Sequence, residues 1–377
     1  MSEELIRYLT TRSHRQRVGD AIAAVETLRE ISLSRKIPTP EQRLVLLKFP
    51  GFGSIPSLFT QTQTTVWEQN AREDFKKLLT PDEYHSARKT TLNQHQTDPR
   101  VIRLLWQTMQ QLGFKGGKVF DPGCSVGWMS EFMPSELRHS TTMVGVEIDG
   151  LCARIAKQLH PQNAIFNRAI QEFSYPVRSL DGCVANPPFG DGVFSTYNGM
   201  GFKIGLANWV LAKTLDLLKP GALLVAIVGT GVLDGVMVDR SYLKFRQWVD
   251  TQAVFLGAVR LPMQAFSAIA NTDVGCDILI MQKRYSAADN RVSEPFIQVH
   301  PFDGINAVES GLPVHLNEYY WKHPEHLVGK PDLCKLTRDR FATRWDMKAD
   351  EAALYAAIER ALDDIVLMKE HLTTGAG

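Results

Sequence analysis

From residue 118 onward the chain alternates short, continuous apolar runs with amphipathic stretches. The runs are "KVFDPGC", "TMVGVEID" (142–149), part of "SLDGCVANPPF" (179–189), "GALLVAIVGT" (221–230), "AVFLGAVRLP" (253–262) and "CDILIMQKR" (276–284). Each has the length of a strand and too little alternation for a wet face. Helical spacing fills most of the gaps, notably "LANWVLAKTLDLLKPG" (206–221), which closes with a Pro-Gly stop. Buried strands alternating with helices predict a mostly parallel α/β sheet covered on both faces. Only a loop separates the last two runs, so an antiparallel hairpin is expected at one edge of that sheet.

The flanks read differently. Leu5, Ile6, Leu9, Val18, Ile22, Val25, Leu28 and Ile31 suit one or two amphipathic helices, broken near Gly19 or earlier. A short capped helix follows in "PTPEQRLVLLKFPGFGSIP" (38–56), and another in "TPDEYHSARKTTL" (80–92). In "NQHQTDPRVIRLLWQTMQQLG" (93–113), Asp98 and Pro99 read as N-cap and first residue of a helix. Residues 286–345 are mixed, and 348–372 read as one long amphipathic helix. The expected division is a helical N-terminal region (1–92), the α/β domain (93–285) and an α-rich C-terminal region (286–377).

Composition narrows the classes of partner. The chain has 377 residues, 44% hydrophobic and 22% charged, ordinary for a globular protein. With 42 Lys+Arg against 41 Asp+Glu, global charge selects neither nucleic acid nor membrane. No run of 18 apolar residues and no signal peptide is present. The five cysteines (Cys124, Cys152, Cys183, Cys276, Cys334) are scattered without a CxxC pair, and the ten histidines lack ligand-like spacing. No disulfide framework and no metal site are therefore expected, and the cytoplasm is the expected compartment, with a monomer as default.

Two loops carry the candidate chemistry. In "VFDPGCSVGWMSEFM" (119–133) a strand ends at Asp121, a small-residue loop turns, and a helix begins near Trp128. Twenty-six residues after Asp121 comes Glu147, at the end of the next strand, where a carboxylate commonly accepts ribose hydroxyls. Only Gly123 and Gly127 are present in the loop, so a nucleoside cofactor without a pyrophosphate is favoured over a dinucleotide. The second loop is "ANPPFG" (185–190). Two prolines make a stiff turn with an amide at one end and a ring at the other. Asn186 and the Pro187 carbonyl can accept both hydrogens of a planar –NH2 group, and Phe189 can stack on its ring.

Together these segments resemble the S-adenosylmethionine-dependent N6-adenine DNA methyltransferases, in the group whose cofactor motif precedes Asn-Pro-Pro-Phe. Within that group the chain is most similar to the methyltransferase segment of large phage- and plasmid-borne proteins that join such a domain to a helicase. "TPEQRLVLLKFPGFGSIP", "LLTPDEYHSARKTTLNQHQTDPRVI", "LGFKGGKVFDPGCSVG", "NPPFGDG", "LGAVRLPMQAF" and "NEYYWKHPEHLVGK" carry the similarity, over about residues 38–330. The resemblance implies a Rossmann-like methyltransferase fold with a mostly parallel seven-stranded sheet. It implies S-adenosyl-L-methionine as cofactor and DNA as partner, with an adenine flipped into a pocket of Asn186, Pro187, Pro188 and Phe189. His95, Thr97 and Pro99 would contact the methionine part of the cofactor. Asp121, Pro122, Gly123, Cys124 and Gly127 would surround it, Glu147 would hold the ribose, and Ile148 would pack on the cofactor adenine. Gln171 and Glu172 are both candidates to read that adenine's amino group, and Phe266 would form a second wall of the target-base pocket.

Three departures qualify this resemblance. Ser125 stands where the family usually has glycine. Both prolines of the catalytic motif are kept, where the subgroup often replaces the first. No helicase fits in 377 residues, so the chain looks like a free-standing version, with any helicase or restriction partner encoded separately. Candidate phosphate contacts are "RSHRQR" (12–17) and Lys322, Lys330, Lys335, Arg338, Arg340 and Arg344, with Trp321, Phe341 and Trp345 interleaved as rings that could add stacking on bases. The alternatives are methylation of RNA adenine or a protein glutamine, and a non-catalytic nucleic-acid-binding protein on a degenerate methyltransferase fold.

Overall fold

The computed structural model describes residues 3–60, 65–91, 94–188, 195–236, 240–267, 269, 275–302, 315–337, 340–347 and 349–374, with side chains throughout except at Ser267, 332–344 and 370–374. Five helices build the N-terminal region: α1 (Glu3–Thr11), α2 (His14–Ser34), α3 (Pro40–Leu47), α4 (Val66–Leu78) and α5 (Pro81–Thr90). The last four start at capping boxes, in which Ser13, Thr39, Thr65 and Thr80 exchange bonds with Gln16, Gln42, Glu68 and Glu83. The expected break in the first helical stretch therefore falls at Ser13, and Gly19 lies inside α2. Helix α6 (Pro99–Gln111) begins as read, with Asp98 accepting the Arg100 N–H at 2.8 Å and Pro99 in the first position.

The α/β part then runs β1 (Gly117–Pro122), α7 (Trp128–Glu131), β2 (Thr141–Glu147), α8 (Gly150–Leu159), β3 (Ala164–Asn167) and β4 (Leu180–Ala185). A two-residue pair, β5 (Ser195–Thr196) and β6 (Lys203–Ile204), precedes α9 (Leu206–Leu217). Next come β7 (Leu218–Gly229), α10 (Gly231–Asp234), α11 (Ser241–Gln252), β8 (Ala253–Leu261), α12 (Gln264–Ser267) and β9 (Cys276–Lys283). Seven strands form one sheet in the order β3-β2-β1-β4-β7-β9-β8. The pairs from β3 to β7 are parallel, and β9 runs antiparallel between β7 and β8. This is the expected Rossmann-like sheet with its antiparallel hairpin at one edge.

Alternate strand residues face two separate cores. Val119, Val184, Val225 and Ile278 join the N-terminal helices, α6 and the C-terminal helix. Phe120, Cys183, Leu224 and Leu279 join α9 and α11. Burial on both faces is why these strands read as unbroken apolar runs. Strand β3 escaped the sequence reading because only Ile165 of its four residues is buried.

Beyond the sheet, β10 (Val299–Pro301) pairs with β11 (His315–Asn317), α13 (Glu318–Lys322) follows, and β12 (Lys330–Thr337) pairs with β13 (Arg340–Asp346). Helix α14 (Glu351–Thr374) lies on the same face as α6, linked by Arg100–Glu351, Gln107–Glu359 and Gln111–Asp363 bonds of 2.6, 3.0 and 2.8 Å.

A buried ionic cluster ties this region to the sheet. Arg260 on β8 donates to Asp277 on β9 at 2.5 Å and to Asp234 at 2.7 Å. Tyr320 also donates to Asp277, at 2.6 Å, and Asp234 accepts the Asn317 N–H at 2.9 Å. Trp345 is buried with its ring 5.7 Å from the Arg260 guanidinium, so it is not available to stack on a base as the sequence suggested. Arg12 is likewise committed, paired with Asp20 at 2.8 Å and bonded to the Lys48 carbonyl. Trp321 stays half exposed, while Arg338 and the side chains of Lys335, Arg340, Phe341 and Arg344 lie outside the described residues.

Removing one partner of a buried ion cluster leaves uncompensated charge, at a cost of about 3–5 kcal/mol. Arg260→Met is therefore expected to destabilise the chain by about that much in guanidinium unfolding. An unchanged midpoint would show that the cluster contributes nothing net.

Candidate active site

Strand order reverses between β1 and β4: the chain continues from β1 to β2 and β3 on one side, and from β4 to β7 on the other. Loops leaving the carboxyl ends of two such strands diverge, and the crevice between them is where open α/β sheets bind ligands. The loops after β1 and β4 are the two singled out in the sequence.

The β1 loop is built from left-handed backbone. Gly123 and Gly127 both have φ 88°, and Ser125 has φ 47°. At Gly123 a Cβ would stand 2.9 Å from Pro188 Cδ, so the two loops touch only because that side chain is missing. Ser125 is the costly member, since an L-residue there sacrifices roughly 1–2 kcal/mol. Two bonds hold it: its N–H donates to Glu147 Oε2 at 2.8 Å, and its hydroxyl accepts from Gln96 Nε2 at 3.0 Å.

Glu147 ends β2 in a buried position. Its other oxygen accepts the Asp149 N–H at 2.8 Å. Burial, reinforced by the charge of Asp149, pushes its pKa up to about 7. Burial also raises Asp121, to about 8, with the neighbouring Glu147 charge adding to the effect. Next to Glu147, Ile148 is 61% exposed, an apolar side chain standing open on the rim. Gln171 and Glu172 are exposed in the turn after β3. Along the rim the order is thus Gln171 and Glu172, Ile148, Glu147, Asp121, Asn186. That row suits an elongated ligand lying across the strand ends.

At the β4 end the Asn186 side chain is oriented. Its Nδ2 donates to Thr97 Oγ1 at 2.8 Å, while its Oδ1 is buried with no hydrogen-bond partner among the described residues. Buried acceptors are rarely left unsatisfied, and such an exception calls for an explanation. Pro187 is buried beside it, Pro188 is half-buried, and Phe189 lies outside the described residues.

The segment 94–98 closes the cleft from above, held by the N-terminal region. Gln94 accepts the Phe52 N–H at 3.1 Å through its side chain and the Gly53 N–H at 2.9 Å through its carbonyl. His95, Gln96 and Thr97 line the cleft opposite Asp121, Ser125 and Asn186. The cavity between them is only about 20 Å³, room for about one water. A nucleoside therefore requires Gln96 and Ser125 to part.

The structure brings the sequence candidates His95, Thr97, Asp121, Gly123, Cys124 and Asn186 together around one cleft. Pro99 begins α6 directly behind it. Gln96 was missed, although it stands between two residues that were read. Phe266 does not line this cleft; it points from α12 into the core. A larger cavity of about 1010 Å³ lies between Glu325, Lys330, Asp346 and α14, away from the predicted cofactor and catalytic residues, with the candidate phosphate contact Lys330 on its border. Nearby, His323, Glu325 and His326 bring ligand-type atoms within 4.8 Å of one another. Their ring nitrogens are already engaged: His323 with Glu325 and Glu294, both at 3.1 Å, and His326 with Tyr319 at 2.6 Å and Asp364 at 3.0 Å.

No family model matches the chain. Over 197 residues, 51% of its length, the chain is 26% identical to the defence against restriction protein B of Escherichia phage P1. It spans 8% of that protein's length. The alignment bears out the resemblance to large phage-borne proteins. Among solved structures, the EcoKI M protein of a type I restriction enzyme is 12% identical, with 98% of this chain and 96% of that one covered and a TM-score of 0.43. A type I restriction-modification methyltransferase subunit from Streptococcus thermophilus is 17% identical over 62% of this chain and 57% of its own, also at 0.43. No described helix is long and apolar enough to cross a membrane.

The two raised carboxyls give a stability signature. Unfolded, both ionise near pH 4; folded, they keep their protons to about 7 and 8. Across that window the folded chain binds more protons than the unfolded one, so their contribution falls as pH rises. Asp121→Asn should flatten the loss of stability between pH 5 and pH 8 in denaturant titrations. Parallel curves for wild type and variant would mean that Asp121 ionises normally.

Proposed function

We propose that this chain transfers a methyl group from S-adenosyl-L-methionine to the N6 amino group of adenine in DNA. The observation that carries the reading is the Asn186 amide, anchored through Nδ2 with Oδ1 buried and without a hydrogen-bond partner among the described residues. An acceptor kept vacant in a closed cleft is what a planar –NH2 donor completes.

The chemistry follows from that geometry. The amino lone pair of adenine is delocalised into its ring and is weakly nucleophilic. When Asn186 Oδ1 and the Pro187 carbonyl accept its two hydrogens, the lone pair localises toward the methyl donor. The nitrogen then attacks the sulfonium methyl: the N–C bond forms, the C–S bond breaks, and S-adenosylhomocysteine leaves as a neutral thioether. The extra proton on nitrogen goes to solvent. The leaving group is strong enough that no general base is required, and catalysis rests on positioning and on prearranged acceptors.

The methionine part of the donor belongs at His95, Thr97 and the Asp121–Gly127 loop, its ribose at Glu147, and its adenine on Ile148 beside Gln171 or Glu172. A sulfonium cation would favour the ionised forms of Asp121 and Glu147. Reaching N6 in a duplex requires flipping the base, at a few kcal/mol. Stacking on Phe189, worth about 1–3 kcal/mol, would offset much of that cost. A phage relative named for defence against restriction fits DNA as the substrate.

The test is purified protein with S-adenosylmethionine and unmethylated DNA, digested to nucleosides and read by mass spectrometry. N6-methyladenine is expected, and Asn186→Ala should lower the rate by about 10²–10³-fold while cofactor binding persists. Cofactor binding without any methylated base would move the substrate to RNA or to a protein glutamine. No cofactor binding would leave the non-catalytic reading.

A further inference from the structure

Thr97 has a second capacity besides lining the cofactor cleft. We propose that it is the positioning residue for Asn186: its hydroxyl accepts from Asn186 Nδ2 and thereby holds the amide with Oδ1 toward the incoming amino group. The inference rests on the methyl-transfer reading above for its kinetic consequence, and on the structure alone for the contact.

The argument starts from the symmetry of an amide. Oxygen and nitrogen have nearly the same size, so shape alone does not choose which faces a cleft. Hydrogen bonding chooses. A target –NH2 offers two donors and needs acceptors; a flipped Asn186 would oppose it with two more donors. Thr97 Oγ1, 2.8 Å from Nδ2, gives the nitrogen a reason to point away. A hydroxyl can also donate, but once Oδ1 is taken by the target, Thr97 must accept.

The hydroxyl is held from both sides along the chain. Asp98, the next residue, is fully buried and fixed by Arg100 at 3.0 and 2.8 Å and by the Tyr355 hydroxyl at 3.0 Å. Gln96, the residue before, is fixed by its bond to Ser125 and packs against the Gly51 backbone, where an added Cβ would lie 3.4 Å from Gln96 Cγ. Neighbouring side chains of one short segment thus reach the loops after β1 and β4. Through Asp98 the arrangement extends to α14, 257 residues away in sequence from the residue it anchors.

Thr97→Val keeps the shape and removes the acceptor, Thr97→Ser keeps the acceptor, and Asn186→Asp makes both oxygens acceptors so that orientation ceases to matter. Single-turnover methyl transfer should fall on the order of 10²-fold in Thr97→Val. It should stay near wild type in Thr97→Ser, with the rates read at saturating S-adenosylmethionine so that any loss of a cofactor contact at Thr97 is separated from the transfer step. In the Asn186→Asp background, Thr97→Val should change the rate by less than about twofold. Weakened S-adenosylhomocysteine binding with an unchanged saturated rate would overturn the proposal and leave Thr97 as a cofactor contact only.

A second readout does not depend on activity. In protein labelled with 15N-asparagine, the Asn186 side-chain amide, identified by its absence in Asn186→Asp, should be protected from solvent exchange in wild type and Thr97→Ser and lose protection in Thr97→Val. Unchanged protection in Thr97→Val would also overturn the proposal. Should wild type fail to methylate DNA while the protection pattern holds, the substrate assignment falls and the Thr97–Asn186 contact stands.

Discussion

The parallel pairing of β1 with β4 is the constraint from which the site follows. Val119 and Phe120 pair with Gly182 and Cys183, and the chain then departs from the two strands in opposite directions across the sheet. Neither loop can fill the space above the seam alone, because each is drawn toward its own next strand. The seam is therefore a place on the rim where two loops come together without covering each other. The missing side chain at Gly123 lets the backbone of one loop sit on Pro188 of the other.

Polarity at that seam is arranged by burial more than by charge pairing. Asp121 and Glu147 are buried behind the loop, and it is burial first of all that raises both, to about 8 and about 7. Side-chain bonds from Gln96 to Ser125 and from Asn186 to Thr97 bridge the cleft above them, the first of them at the serine that stands where the resemblance leads one to expect glycine. A serine that costs backbone energy yet bridges the cleft is consistent with strain kept where the site must change shape.

Much of the scaffold was legible because it depends on local rules. Capping boxes, the Asp98-Pro99 helix start and the unbroken apolar strands each announce themselves within a few residues. What was not legible depends on distance or on weak local signal. Strand β3 has one buried residue, too few to show a pattern. The Thr97–Asn186 contact joins residues 89 apart, and the Arg260 cluster joins β8, β9 and α13 through side chains that look like surface charges in sequence. Trp345 was read as a base-stacking ring because aromatics beside basic residues suggest it; the cation it covers turned out to be internal. Gln96 carried no signal of its own, since a glutamine between two predicted contacts is indistinguishable from a spacer.

Helix α14 has a bearing on how the molecule comes into being. It supplies Leu354, Ile358, Leu362 and Ile365 to the same core as α1, α2 and α6. The part of that sheet face over β8 thus remains open to water until α14 has been made. During synthesis the central strands emerge long before their cover, and apolar strand surface left open is a template for mispairing. The short polar contacts from Arg100, Gln107 and Gln111 offer the helix a register on arrival, so that a late element docks in one way. Order of assembly, as much as final stability, is thus written into the path the chain takes across its own sheet.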